Sequence, residues 1–424
     1  MSKYNPHTQT RIKEVLKTLG YKSVADMYKG ISENILYPEL QTSNGVTEIV
    51  CENKINNLSN KNRVYDNCYM GAGVYNHYIP QSVIDVYNDK VISSLTHSDL
   101  VKSNSLMQAV FDVQKSLASF MKMPATKVSY QDKNFALICS CIALVSSERN
   151  KLLVSSLVKP QTKGVLKVIL PLFGIEVEEV DSLGLPNTNA DFIEKSINEK
   201  VFAVYVEQPN YFGTIEELEE IANITKLHDI KFIVGAYPTA FGALKAPGEC
   251  GADLVVGDLQ PFGLNIAFGG DSLGFVCADE KTLLAINGSY ISITENNELV
   301  LQNNDNALYN NQIPVRAVIT CGAYLNYLGK DGLKQVALKC ATNAHYLNFA
   351  LAKAGIGVKY KNEFFNEFIT LSKCTAENIL NALSQQGILG GYKIGTHEIL
   401  WCATELNARE QMDKCAAICG EVNK

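Results

Sequence analysis

Apolar positions recur at two spacings along this chain, and the change from one to the other marks its organisation. Near the start, Ile12, Val15, Leu16 and Leu19 repeat at helical spacing behind Thr8, a residue suited to capping, and Gly20 closes the run. Residues 46–60 predict a second helix. From Leu106 a longer amphipathic helix carries Val110, Val113, Leu117 and Phe120 on one face and ends near Pro124. A buried helix is expected over 134–147.

Beyond it, short strand-like runs alternate with helical ones. Strands are expected at 152–154, 175–180, 201–206, 232–234 and 254–256, with a further strand beginning at Leu273, and helices at 161–173, 190–199 and 215–228 lie between the first four. Strands alternating with helices of this length predict a mostly parallel central sheet covered by helices on both faces, a doubly wound α/β layer. The strands are too few and too unevenly spaced for a barrel. The Asn-rich run 295–312 predicts a loop or crossing. Helices at 314–327 and 333–354, strands at 364–371 and 398–403, and helices Ala376–Gln385 and Arg409–Val422 then form a smaller α+β piece. The expected division is an N-terminal helical arm over 1–100, a large α/β domain over 101–312 and a small C-terminal α+β domain over 313–424.

Composition narrows the class. The 424 residues are 46% hydrophobic and 19% charged, an ordinary globular balance with enough chain for a sizeable core. A net charge of −6 argues against a general binder of nucleic acid or anionic membrane. The opening residues contain no apolar signal-like core, and no apolar run approaches the roughly 20 residues of a membrane span. A soluble, cytoplasmic protein is expected. The 12 cysteines are scattered, and Cys139/Cys141 and Cys415/Cys419 lack C-x-x-C spacing, so reduced and mostly buried thiols are expected and no metal site.

Three loops concentrate candidate chemistry. GAGVYNHYIP at 71–80 puts two glycines beside Tyr75, His77 and Tyr78; it reads either as a ligand-approaching loop or as a tight turn with aromatic packing. His77 is the histidine best placed for acid–base work, whereas His97, His228 and His345 read as surface or helix-face residues. EQPNYFG at 207–213 follows an apolar strand directly, where open α/β sheets collect ligands, although a plain strand-to-helix turn reads equally well; Asn210 is its candidate polar contact. Gly269 and Gly270 are able to cradle a phosphate through backbone N–H groups or simply to turn the chain. No Walker loop, nucleophile elbow, H-E-x-x-H or helix-opening G-x-G-x-x-G is present.

These segments, taken in order, resemble one family over nearly the whole chain: the first subunit of the two-subunit glycine decarboxylase P-protein of the glycine cleavage system. The resemblance rests on PHTQTRIKEVLKTLGYKSVADMY at 6–28, GAGVYNHYIP, VEQPNYFGTIEEL at 206–218 and ALKAPGECGADLVVGDLQPFGLNIAFGGDSLGF at 243–275. YLNYLGKDGLKQVA at 324–337, FFNEFITL at 364–371, GILGG at 387–391 and ATEL at 403–406 complete it. It implies the aminotransferase-type (fold type I) architecture of pyridoxal-phosphate (PLP) enzymes. It also implies an N-terminal arm at a subunit interface and a homologous second P-protein subunit that carries both the Schiff-base lysine and the PLP. The assembly decarboxylates glycine and passes the aminomethyl group to the lipoylated H-protein. The resemblance places Tyr75, His77, Tyr78 and Asn210 along a substrate and interface cleft, and Gly269 and Gly270 near the cofactor.

In this chain no lysine occurs between Lys245 and Lys281, and Pro261 stands near the place of the Schiff-base lysine. No cofactor is therefore expected to be bound covalently here, nor any activity by the chain alone. Strand 232–236 runs into Tyr237-Pro238, without the Asp that would face a pyridinium nitrogen. The family's Thr-Pro-Tyr-Gln-Pro-Glu stretch is replaced by THSDLVKSNS at 96–105, and its Tyr-Asp-Gly-Ala-Thr turn by QDKNF at 131–135. The basic stretch expected near 300–317 is replaced by an Asn-rich run. Two roles stay open: a working decarboxylase subunit, or a catalytically retired relative acting as scaffold or binding protein, with homodimers possible where the second subunit is absent.

Overall fold

The computed structural model describes residues 8–32, 35, 42, 44–267, 270–303 and 312–424. It divides into two compact units, Met1–Arg63 and Val64–Lys424. In the first, helix Gln9–Thr18 begins at Thr8, whose hydroxyl accepts from the Arg11 amide. It ends before Gly20, which takes the left-handed conformation (φ +77°) that lets the Tyr21 amide return to the Leu16 carbonyl. Helix Glu48–Ser59 buries none of its residues.

The second unit is built on a seven-stranded sheet. Its strands are β1 Ala125–Tyr130, β2 Lys151–Ser155, β3 Glu176–Val180, β4 Val201–Gln208, β5 Lys231–Ala236, β6 Leu254–Asp258 and β7 Gly274–Ala278. Their spatial order is β1-β7-β6-β5-β4-β2-β3; β7 runs antiparallel to both neighbours and every other pairing is parallel.

The near-continuous apolar runs of these strands are explained by the two faces they cover. Leu153, Val204, Phe232, Val234 and Val255 point to one side, packed with Met107, Val110, Val113 and Leu117 of helix Asn104–Met121. Leu152, Val154, Tyr205, Ile233 and Val256 point to the other, against helices Lys133–Leu144 and Pro160–Ile169. Alternation at period two splits one sequence run between two cores. Each fully buried side chain of this size contributes roughly 1.5–3 kcal/mol.

Helix Val315–Lys353 is interrupted at Gly329 (φ +59°), so the two helices expected on either side of GKDG are present as separate pieces. The second supports a four-stranded antiparallel sheet ordered Gly357–Val358, Glu367–Leu371, Glu398–Cys402, Tyr392–Lys393, backed by helices Ala376–Gln385 and Arg409–Val422.

Two sequence expectations need correction. Strand β1 was hidden because Lys127 interrupts its apolar pattern; the Lys127 ammonium is buried and donates to the carbonyls of Leu283, Ile286 and Gly288 at 2.7, 2.7 and 3.1 Å. The expected loop 295–312 contains strand Leu299–Gln302, paired antiparallel with Tyr290–Ile293, while 304–311 lie outside the described residues.

Candidate functional site

A cavity of about 610 Å³ opens at the carboxyl ends of the parallel strands, where open α/β sheets place ligands. Five of the seven strands deliver a short polar turn to it. Asp132, Lys133 and Asn134 follow β1, Lys159 and Thr162 follow β2, Glu207 and Pro209 end β4, and Tyr237 and Pro238 follow β5. Asp258, Gln260 and Pro261 come from the end of β6. Loop residues 72–75 close one side.

The replaced segment 131–135 is a helix start. The Asp132 carboxylate caps the Phe135 amide at 2.8 Å, and Lys133 then reaches across the sheet to an ion pair with Glu207. Glu207 also accepts from the Tyr205 hydroxyl at 3.1 Å, the Lys159 amide at 3.1 Å and the Thr162 hydroxyl at 3.4 Å. Burial would raise its carboxyl, but the charges of Lys133 and Lys159 outweigh that and hold it below the usual glutamate value. Asp258 accepts from the Gln260 amide at 2.7 Å and from the Ser272 hydroxyl; burial nonetheless pushes its carboxyl up.

The 71–80 loop hangs from the small sheet. Residues 67–68 pair in parallel with 388–389, and the Cys402 amide donates to the Tyr69 carbonyl at 2.9 Å. Gly71 is required because a Cβ there would collide with the Glu367 carboxylate. Glu367 accepts the Ala72 amide and the Tyr75 hydroxyl, each at 2.6 Å. Burial pushes both groups up, the Tyr75 phenol and the Glu367 carboxyl. The Tyr75 ring packs on Tyr237 with centroids 4.3 Å apart.

His77 is buried and does not line the cavity. Its Nδ1 lies 2.8 Å from Glu405, its Nε2 contacts the Tyr237 hydroxyl, and Cys340 donates to the same Glu405 oxygen at 3.2 Å. Burial alone would raise Glu405; the hydrogen bond and charge of His77 hold it low. His77, Cys340 and Glu405 present possible metal-ligand atoms within 4.8 Å of one another, yet all three already bond within the group. Tyr78 is anchored through its amide to Glu405 at 2.7 Å, with its side chain 60% exposed.

Asn210 lies in a separate buried knot. Its Oδ1 accepts from Phe212, Thr214 and the Thr214 hydroxyl, and its Nδ2 donates to Pro186 and Glu216 at 2.8 Å each. Gly213 (φ +81°) completes the turn, where a Cβ would strike the Glu367 carbonyl. Gly270 lines the cavity, its amide bonded to Ala267 at 2.6 Å, and Gly269 lies outside the described residues. Segment 96–105 forms two consecutive helix caps: a Thr96–Asp99 capping box, then Ser103 accepting from Leu106.

Of the residues singled out in the sequence, the structure thus brings Tyr75, Pro261 and Gly270 to the cavity. It sets His77 and Tyr78 one layer away and Asn210 in the adjoining turn. Lys133, Lys159, Glu207, Glu367 and Glu405 were not singled out. Glu207, Glu367 and Glu405 lie inside EQPNYFG, FFNEFITL and ATEL, where an acidic residue in an apolar run was the available signal. Lys133 sits inside the divergent QDKNF. Lys159 had no signal beyond its place before Pro160.

Comparison with known proteins gives consistent findings. The family model described as glycine cleavage system P-protein matches residues 2–418. A protein of Desulforamulus reducens named probable glycine dehydrogenase (decarboxylating) subunit 1 is 30% identical, covering 99% of this chain and 100% of that protein. A relative of the same name from Bacillus pumilus is 29% identical, with 97% of each chain covered. Among solved structures, a glycine decarboxylase (P-protein) of the glycine cleavage system in inhibitor-bound form superposes with TM-score 0.87 at 26% identity, covering 99% of this chain and 100% of that one. The glutamate decarboxylase of Lactobacillus brevis shares the fold at TM-score 0.71 and 10% identity, over 93% of this chain and 97% of its own. The architecture is that of PLP-dependent fold type I enzymes.

Proposed function

Because this chain belongs to the glycine cleavage system P-protein family, we propose that it serves as the first subunit of a two-subunit glycine decarboxylase, inactive by itself. In this reading the homologous second subunit holds PLP through its own lysine. Glycine is decarboxylated at a site near the shared interface, and the aminomethyl group passes to the lipoyl arm of the H-protein in the cytoplasm. Tyr75, His77, Tyr78 and Asn210 shape that interface cleft, and Gly269 and Gly270 belong to the loop nearest the cofactor. The arm 1–100, large domain 101–312 and small domain 313–424 are the functional divisions of the same proposal.

The chemistry of this chain's own cleft carries the reading. A covalently held aldehyde cofactor needs a primary amine from the loop after β6. Pro261 lines the cavity there. A protonated pyridine ring needs a carboxylate at the end of β5, and Tyr237-Pro238 stands in that place. Lys133 is committed to Glu207. The loop after β6 thus offers no amine for a Schiff base, and Lys159, the remaining cleft lysine, enters from the turn after β2 instead, so chemistry requiring PLP is assigned to a partner. No described helix is long and apolar enough to cross a membrane. Exposed Ile49, Val50, Ile55 and Leu58 on the N-terminal helix support an arm that is covered in an assembly.

One observation favours the scaffold reading as the second choice. The polar atoms of Tyr75 and His77 are all committed internally, to Glu367, Glu405 and Tyr237. The test between cofactor placements is borohydride reduction of the coexpressed complex followed by peptide mass spectrometry. A single PLP adduct on the second subunit is expected; an adduct on Lys133 or Lys159 contradicts the reading. Scattered adducts on exposed lysines report only unspecific labelling.

A further inference from the structure

The cleft of this chain keeps the size of a small-molecule site, since ligand pockets span about 300–1,000 Å³. Its ionic contacts are nearly closed. Lys133 pairs with Glu207, Arg316 with Asp271, and Asp258 and Glu367 are each satisfied by two donors. Lys159 is the exception. Among the described residues its Nζ takes part in no hydrogen bond and no ion pair; it sits 5.4 Å from the centre of the Tyr75 ring, under the loop at Gly73. Burial, together with the neighbouring charge of Lys133, disfavours its protonated form and outweighs the carboxylates of Glu207, Glu367 and Asp258, none of which forms an ion pair with its Nζ. A part-buried ammonium over one aromatic face is short of the acceptors that such a charge takes. Asn134, which lines the same cavity, takes the Thr162 hydroxyl on Oδ1 at 2.9 Å, and among the described residues its NH₂ makes no hydrogen bond. Pro261, Ile266 and Ala267 add apolar lining to the same cavity.

We propose that this cleft is a non-covalent binding site for a small organic anion, whose carboxylate or phosphate head lies against Lys159 Nζ and the Asn134 amide and whose apolar body fills the space toward Pro261 and Ile266. The site is lined by this chain's own residues, and its test reads ligand binding, not turnover. It therefore stands or fails independently of decarboxylase activity. Because a bound anion adds to the carboxylates of Glu207, Glu367 and Asp258 in favouring charged Lys159, binding takes up a proton where Lys159 is neutral, and affinity falls as pH rises through its titration.

Isothermal titration of the full chain with benzoate, phenyl phosphate and benzyl alcohol tests this, the first two distinguishing a carboxylate from a phosphate head. One saturable site per chain is expected for at least one anion and none for the alcohol. K159M is expected to weaken anion binding about tenfold or more. Wild-type affinity is expected to fall as pH rises toward the ordinary lysine value of 10.5, and K159M to lose that slope. Absence of saturable binding by both anions, equal binding by K159M, or equal binding of benzyl alcohol overturns the proposal. If K159M fails to fold by circular dichroism, K159Q and the wild-type pH profile decide the matter; a flat profile is then the contradicting result.

Discussion

The Tyr75 hydroxyl donates to the Glu367 carboxylate at 2.6 Å, tying the 71–80 loop to the first long strand of the small sheet. The same carboxylate takes the Ala72 amide, so one buried glutamate fixes the whole approach of the loop to the cleft. Tyr75→Phe keeps the packing on Tyr237 and removes one donor from a buried acceptor. Such a loss typically costs about 1–3 kcal/mol. Denaturant unfolding should show a lower midpoint with an unchanged slope.

His77 and Tyr78 are adjacent in sequence and should separate cleanly in experiment. His77→Ala strips Glu405 and Tyr237 of a buried partner, and a stability loss of about 1–3 kcal/mol is expected together with any loss of activity. Tyr78→Ala removes an exposed side chain and should change stability by less than about 0.5 kcal/mol. If Tyr78 contacts the partner's site, exchange activity of the complex drops all the same. Thermal melts and activity measured on the same preparations separate the two effects.

Asn210→Ala removes the centre of five side-chain hydrogen bonds in the β4 turn. At about 1 kcal/mol net per bond, partly recovered by relaxation, a loss of about 3 kcal/mol is expected. Retention of full stability would show that the turn is held by its backbone alone.

Glu216, next to that turn, has its carboxyl pushed up to about 7 by burial, against the opposing donors Asn210 and Thr188. A raised acid favours the protonated folded state. Its contribution is present below the ordinary value of 4.5 and is lost as pH rises toward 7. The shift corresponds to roughly 3 kcal/mol. Stability of the wild type should fall over that interval, and Glu216→Gln should flatten the profile.

What the sequence revealed depended on periodicity and on unbroken motifs. The alternating strands β2 to β6 and the helices flanking Gly329 were legible because apolar spacing and glycine interruptions act locally. Strand β1 was not, because its buried Lys127 is satisfied by carbonyls more than 150 residues away. The absence of a lysine near Pro261 could be read directly. The lysines that do face the cleft, Lys133 and Lys159, could not, since only the sheet brings the ends of β1 and β2 together. His77 was legible as polar chemistry, but its partners Glu405 and Tyr237 come from two distant turns.

The most direct test of the central claim is glycine–bicarbonate exchange by this chain coexpressed with its homologous second subunit, in the presence of lipoylated H-protein. Exchange is predicted for the complex and not for this chain alone. A folded complex with PLP on the second subunit and no detectable exchange would contradict the account and leave a scaffold in its place.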